Sequence, residues 1–543
     1  MLIVGAGPVG LTLALDLGRR GIRTTLIEKR EQVLRLPKME RSNPRTMEIY
    51  RRLGVVDRIR AAAYPADASM DVLILRSMLQ APLVHQVYPS VAQARASIAA
   101  CDDGSLPREP YQLVSQYTLE ALLLSELKTC VSLEIRLGVE LVDLTQSADG
   151  VEARVRSTNT SGSTQLRARY AVACDGANST VRQLLGLSLE GAAGLGAIAN
   201  IFFRCSDLLD KSRVPRARHY LFAGVDASGG AAGSMVVQDD QKHFASHLPV
   251  ALSQSADLAG ELRRRTGLDI QPEILFAGRW TQNMMVADRH AVGRVFLAGD
   301  ANHVFIPAGG LGMNTGIGDA TNLAWKLAAM IAGWGGPSLL QSYSTERGAV
   351  ARRNIKAVAY AVDGVIAWRK IPVPTLGEDA TANASADQAY AEKAAPLNRR
   401  VYEMHGTDLG YRYESEVICG ESGNPPADDS YQYRPTTWPG AHLPHMWLAP
   451  GVALYDRMTS GYQLIRCGAS AANTDLLAAA LRRRGVPLEV LDIPDERIRA
   501  AFGCDCLLVR PDLHVAWRGN HEPDNPDAVA AVVTGHRTVS ASA

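Results

Sequence analysis

Long apolar runs are missing from this 543-residue chain: no stretch approaches the roughly 18 residues that a membrane span needs. An excess of one charge is missing too. With 57 Lys and Arg against 56 Asp and Glu, the formal net charge is +1. That removes any electrostatic reason to expect nucleic acid or an anionic membrane as partner. Cysteine is sparse: eight residues (101, 130, 174, 205, 419, 467, 504 and 506) are scattered and none forms C-x-x-C. Structural thiols in a reducing compartment are expected, rather than disulfides or a metal site. No basic-then-apolar leader opens the chain, so a cytoplasmic protein is expected. No internal repeat is visible.

What is present begins with glycine at the N-terminus. Leu2–Val4 is an apolar strand, and Gly5, Gly7 and Gly10 complete G-x-G-x-x-G with Pro8 and Val9 inside it. The spacing allows a tight turn, close approach of a pyrophosphate, and packing of the following helix on the sheet. That helix, over Val9–Gly18, points its first N–H groups at the phosphates. Thr24–Ile27 is a second strand ending at Glu28 and Lys29, and an acid there suits a ribose hydroxyl. Only Met1 precedes the first strand.

The length calls for two or three domains. A helix is expected over Arg45–Leu53, ended by Gly54, and another over Tyr117–Leu127. Residues 65–110 are rich in Pro, Ala and Ser and read as an excursion on the substrate side. Short strands run through Val139–Val155, and Tyr170–Cys174 is a buried strand. Ile198–Arg204, His219–Gly224 and Ser234–Gln238 alternate as strands between glycine turns, as in an antiparallel wall. The GAAGLG at Gly191–Gly196 lacks a preceding strand and a following acid, and is not read as a nucleotide site. Val295–Ala298 is a strand and Gly318–Ala332 a helix. Residues 370–400 read as a connector. Farther on, strands at Tyr462–Cys467, Leu488–Ile493 and Cys506–Val509 surround a helix at Asp475–Arg484.

Three segments together carry a resemblance: GAGPVG, CDGANSTVR at Cys174–Arg182, and GRVFLAGDANHVFIPAGGLGMNTGIGDATNLAWKLA at Gly293–Ala328. In that order they are similar to the aromatic-ring hydroxylases that use one FAD and NAD(P)H. PKMERSNPRTMEIYRRLG and YRYESE…WPGAHLPHMWL resemble the phenol and chlorophenol hydroxylase branch. The resemblance implies an α/β protein. Its Rossmann-like FAD-binding domain would comprise 1–65, 111–189 and 281–370. An inserted, mostly antiparallel β substrate domain would comprise 66–110 and 190–280. A connector at 371–439 would lead to a thioredoxin-like domain at 440–543, which would support packing or a homodimer rather than thiol exchange.

The resemblance also assigns residues. Gly299 and Asp300 would hold the ribityl chain and ribose. Gly310, Leu311, Gly312, Met313 and Asn314 would bring N–H groups to the flavin edge that turns negative on reduction, with Pro307 beside the ring. Asp175 and Gly176 would touch FAD and NAD(P)H, with Arg182 as the basic member. Arg45 would lie near the pyrophosphate and Gln116 near the phosphate–ribityl end. NADPH or NADH would reduce the flavin, O₂ would add at C4a, and the hydroperoxide would hydroxylate a phenolic or other electron-rich ring. His219 and Tyr220 are candidates for activating the substrate hydroxyl, beside His243 and Glu40. Polyketide or carbonyl oxidation on the same fold, and a non-catalytic FAD-binding protein, stand as alternatives.

Overall fold

The computed structural model describes residues 1–32, 36, 40–159, 162–224, 233–249, 257–469 and 472–536. Residues Pro37–Met39 of the PKMERSN stretch therefore lie outside the described residues.

A six-stranded sheet forms around the N-terminal glycine motif. Its order is Ala291–Val292, Val295–Leu297, Ala171–Ala173, Leu2–Val4, Thr24–Glu28, Leu133–Leu137. All pairings are parallel except the hairpin between the first two. The chain starts at Leu2–Val4, winds to one side, then returns to build the other. The point of reversal thus lies beside the first strand, and such sheets take ligands at the carboxyl ends there. The helices Pro8–Arg19, Gln116–Leu127 and Leu311–Ala332 cover one face, with Leu11, Leu15, Leu119, Leu123, Ile317 and Leu323 fully buried between them.

A second sheet has seven strands, in the order Glu273–Thr281, Ala197–Arg204, His243–Pro249, Ser234–Val237, His219–Phe222, Val72–Leu75, Val84–Gln86. It is antiparallel except where His219–Phe222 runs parallel to Val72–Leu75. Strand periodicity divides its two faces. Ile201, Phe203, Tyr220, Phe222, Met235, Val237 and Phe244 turn one way into a closed hydrophobic core. The alternate residues, among them Asn200, His219, Ser234 and His247, line the other face.

At the C-terminal end a four-stranded sheet has the order Leu488–Ile493, Tyr462–Cys467, Cys506–Val509, Val515–Gly519, with one parallel and two antiparallel pairings. With helices Asp475–Arg483, Glu496–Phe502 and Pro526–Val533 it has the expected thioredoxin-like form.

Two stretches depart from expectation. The third helix starts at Leu311 rather than Gly318. Its first two turns interleave Gly312, Asn314, Thr315 and Gly316 with the apolar residues, which hides the stripe, yet they pack closely: a Cβ on Gly316 would stand 2.6 Å from Val9 Cγ2. Most of the stretch expected as a connector at 370–400 is helical, from Ala380 to Arg399. Pro337–Arg369 runs for 33 residues, and Ala380–Arg399 follows, its start capped by the Asp379 carboxylate accepting from the Thr381 and Ala382 N–H groups. Alanine-rich composition favours a helix as readily as a linker, and Tyr390 and Ala394 bury it against the second sheet.

Candidate active site

The cofactor-binding candidates converge because three adjacent parallel strands end together. From Leu2–Val4 the chain enters Gly5–Gly10, from Ala171–Ala173 it enters Asp175 and Gly176, and from Val295–Leu297 it enters Gly299 and Asp300. The loops touch. A Cβ on Gly5 would lie 2.3 Å from the Cys174 carbonyl, one on Gly10 would lie 2.0 Å from the Gly5 carbonyl, and one on Gly299 would lie 2.9 Å from Val9 Cγ2. Gly7, Gly176 and Gly312 differ, since a Cβ on any of them meets nothing within 4 Å. These three open toward free space at the strand ends, where bare backbone suits a pyrophosphate and a flavin edge. Buried Asp175 Oδ1 has no partner there, while its Oδ2 accepts from the Val181 N–H. Burial raises the Asp175 pKa despite the hydrogen bonds it accepts. Glycine backbones, an exposed Asp300 and an unsatisfied buried carboxylate oxygen fit an FAD.

Several candidates hold this geometry rather than face the space. Glu28 Oε2 accepts from the Ala6 N–H at 2.8 Å, and its Oε1 accepts from Arg30, which fastens the glycine turn to the second strand. Lys29 is exposed beside it. Arg182 donates to the Ala301 and Ala177 carbonyls, so it braces the Gly299–Ala301 turn instead of forming a structural ion pair. Gln116 donates to Glu120 at 2.7 Å, at the first turn of its helix. Asn314 donates to the Arg41 and Gly310 carbonyls and accepts from the Asn43 N–H, clamping the start of the Leu311 helix. Ahead of that helix, exposed Pro307 begins a 3-10 turn, and Gly309 and Gly310 both take positive φ (78° and 68°). A side chain would be strained there.

Asp319, which sequence reasoning passed over, is the hub of this region. Fully buried, it accepts from the Gly299 N–H (3.1 Å), His303 Nε2 (2.7 Å) and Arg347 Nε (2.7 Å). Burial opposes its charge, but His303 and Arg347 hold its pKa at about 2. A helical Asp in GIGDATN gives a sequence no sign of reaching back to the Asp300 turn.

His219 and Tyr220 separate. Tyr220 is fully buried in the core beneath the second sheet, and its hydroxyl accepts from the Ala217 N–H at 3.0 Å. Adjacent strand positions face opposite ways, so Tyr220 is withdrawn from any substrate face. His219 is on the other face: Nδ1 lies 2.9 Å from the Tyr402 hydroxyl and Nε2 lies 3.4 Å from Glu40 Oε1. Burial lowers its pKa to about 4. Burial opposes ionisation of Glu40 as well, but His219, His247 and Arg218 bring its carboxyl below the ordinary value. Tyr402 leads onward, because its carbonyl accepts from Arg41, and Arg41 also donates to the Gly309 carbonyl. A continuous chain of contacts thus joins His219 to the turn before the Leu311 helix. His243 points elsewhere, paired to Asp240 at 2.6 Å and stacked on Phe202. Tyr402, Arg41 and His247 were invisible as site residues, since Tyr402 comes from the stretch taken for a connector.

Arg45 sits at the seam with the C-terminal unit. It donates to the Asp512 carbonyl and lies 3.8 Å from Glu48. All eight cysteines are free thiols. Among the described residues, no helix is long and apolar enough to cross a membrane, and no group of three or more His, Cys, Asp or Glu is placed to hold a metal.

Comparison with known proteins agrees with this geometry. Residues 1–358 match the FAD binding domain family, and residues 436–536 match the aromatic-ring hydroxylase C-terminal family. The chain belongs to the FAD-dependent aromatic-ring hydroxylases, which are flavoprotein monooxygenases. It is 30% identical to the FAD-dependent monooxygenase apdD of Emericella nidulans over 98% of this chain and 90% of that protein. It is 29% identical to the 2,4-dichlorophenol 6-monooxygenase of Cupriavidus pinatubonensis, over 99% and 96%. The rebeccamycin biosynthetic enzyme RebC, solved with reduced flavin, superposes with a TM-score of 0.86 at 30% identity, covering 99% of both chains.

Proposed function

We propose that this monooxygenase hydroxylates a phenolic or similarly electron-rich ring, with O₂ and NAD(P)H as co-substrates. The observation that carries the proposal is the Tyr402–His219–Glu40 array, set on the polar face of the second sheet and linked through Arg41 to the Gly309 turn ahead of the Leu311 helix. Bound FAD supplies the activation of O₂. Gly7, Gly176 and Gly312 would admit its pyrophosphate and ring edge, Asp300 and Asp175 would accept from its hydroxyls, and Asp319 and Arg182 fix the turn that carries Asp300. Helix N–H groups at Leu311–Met313 favour negative charge at the ring edge.

The protein's part in ring activation is proton movement. His219 is a neutral imidazole at pH 7, held so by burial. One of its nitrogens accepts a hydrogen bond from the Tyr402 hydroxyl and the other faces Glu40, so the array polarises a phenol proton away from the ring. A phenol donating to Tyr402 thereby gains electron density in its ring, which favours attack on electrophilic oxygen. Similarity to 2,4-dichlorophenol 6-monooxygenase supports the phenolic class. The thioredoxin-like unit serves packing, and a homodimer is proposed with it.

The test is a panel of phenols and matched anisoles, scored for stimulated NAD(P)H oxidation and for a product heavier by one oxygen. Phenols should be hydroxylated and anisoles should not. Equal turnover of both, or oxidation of NAD(P)H without product from any phenol, overturns the proposal.

A further inference from the structure

The seam between the cofactor helices and the C-terminal unit holds a cavity of about 300 Å³ that the proposed reaction does not use. The helices Pro8–Arg19 and Pro44–Arg52 line one side of it, and residues 455–460 with Pro511 and Asp512 line the other. Exposed Asp456, Thr459 and Ser460 mark its mouth. Asp16, on its wall, lies about 12 Å along the helix from Pro8, so the cavity is separate from the glycine turn.

Cations here outnumber the acids free to answer them. Arg19, Arg20, Arg45, Arg51 and Arg52 all line the cavity. Asp16 pairs with Arg20, Asp456 with Arg51 and Asp512 with Arg510, each at 2.7 Å. Arg19 reaches away toward Glu126. Arg52 has no salt bridge among the described residues; its Nη2 donates to the Thr459 carbonyl at 2.9 Å, and its Nη1 is buried without a partner. Arg45 is only 5% exposed, and its Nη2 donates to the Asp512 carbonyl while its Nε and Nη1 are buried and unpartnered. The remaining acid, Glu48, stands 3.8 Å from Arg45, and burial pushes its pKa up to about 7. It answers Arg45 only in part and leaves Arg52 without an acid. The Thr321 hydroxyl, on the Leu311–Ala332 helix, lines the cavity too and is buried without a partner.

Covered cations without a counter-charge are costly, and a bound anion completes them. Donors gathered around one space also call for a ligand with several acceptor oxygens. A phosphate has them and takes forked contacts from arginine. Water would satisfy the donors but leave the charge. A cavity of about 150 Å³ already accepts benzene, so this one has room for more than the anion, with Ile49, Tyr455 and Met458 as an apolar flank.

We propose that the seam cavity binds a phosphate group, free or as the monoester of a small molecule, on Arg45 and Arg52, and thereby ties the C-terminal unit to the cofactor helices. This goes beyond the proposed function and holds whichever ring is oxidised.

Calorimetric titration of the FAD-loaded enzyme with inorganic phosphate, ribose 5-phosphate and ribose tests it. A phosphate should bind once per chain and raise the melting temperature, and ribose should do neither. Inorganic phosphate binding as tightly as the ester identifies the free anion, whereas a tighter ester identifies a monoester. Arg52→Gln should weaken binding by at least about tenfold, through loss of a charged donor, and Arg52→Lys should keep part of it. Circular dichroism and flavin absorbance report whether each variant folds. Ser460→Glu, at the exposed mouth, leaves the buried contacts in place and should weaken binding by repulsion. Binding of neither phosphate, equal binding of ribose and its phosphate, or an affinity unchanged in Arg52→Gln would overturn the assignment. Should Arg52→Gln not fold, an affinity unchanged in Ser460→Glu would overturn it instead.

Discussion

Neighbouring glycines in one motif have opposite tolerances, and the difference separates folding from cofactor binding. A Cβ at Gly7 meets no protein atom within 4 Å, whereas at Gly10 it would lie 2.0 Å from the Gly5 carbonyl. Gly7→Val should therefore fold, with a melting temperature close to that of flavin-free unaltered protein, while losing flavin absorbance after desalting. Gly10→Ala should impair folding itself. A Gly7→Val variant that retains full flavin would remove the pyrophosphate from this turn. The pair His219 and Tyr220 separates in the same way. Tyr220→Phe loses one hydrogen bond to the Ala217 N–H, worth about 1 kcal/mol of stability, with turnover unchanged. His219→Gln should leave flavin content intact but lower product formed per NAD(P)H consumed, by about tenfold or more. Equal coupling in both variants would separate His219 from ring activation.

Elements are joined at the site through buried carboxylates. Asp319, on the Leu311–Ala332 helix, is what fixes the turn after Val295–Leu297. Asp319→Asn keeps the shape but gives up a charge shared by His303 and Arg347. FAD affinity should fall by roughly 1–3 kcal/mol, although Asp319 is not placed to touch the cofactor. Fluorescence titration of apoprotein with FAD measures this, and unchanged affinity would mean that the Asp300 turn is fixed by Arg182 alone. Asp300→Ala should lower FAD occupancy more sharply, because it removes the acceptor itself.

Across the whole molecule, a buried ionic cluster joins the cofactor helices to the C-terminal unit. Glu346 on the long Pro337–Arg369 helix accepts from Lys326 (2.7 Å), Asn322 (2.7 Å), Ser415 (2.8 Å) and Arg510 (2.6 and 2.9 Å), and Arg510 also pairs with Asp512. Arg510 and Lys326 hold the Glu346 pKa at about 2 against the cost of burial. Glu346→Gln leaves two buried cations with one carboxylate and should cost about 3–5 kcal/mol in urea unfolding. Acid should weaken the fold well before Glu346 protonates. Burial lowers His219 and His290 to about 4 and His445 to about 3, from 6.5 when unfolded. Each contributes stability that is complete above pH 6.5 and is lost as pH falls through the folded value, at about 1.4 kcal/mol per unit of pH. Glu48 runs the other way: burial raises it to about 7, so its contribution is lost as pH rises from 4.5 toward 7. Urea midpoints measured from pH 7 to pH 4 should fall steadily, and a flat profile would mean that these histidines are hydrated. Cys504→Ser with Cys506→Ser should leave turnover nearly unchanged, since both thiols are buried and unoxidised.

The cofactor and its sheet were legible in the sequence because phosphate binding depends on backbone, and backbone demands are written locally as glycine spacing after a strand. Strands such as Leu488–Ile493 and Cys506–Val509 were legible for a similar reason, as short apolar runs between turns. Fold class and cofactor were thus determined by the chain alone. Which side chains share the site was decided only by tertiary structure. Sheet parity sends His219 to one face and Tyr220 to the other, and a helix in the supposed connector leads to Tyr402. Asp319 gains its meaning from burial beside residues far away in sequence, and burial belongs to the packed molecule, not to any segment of it.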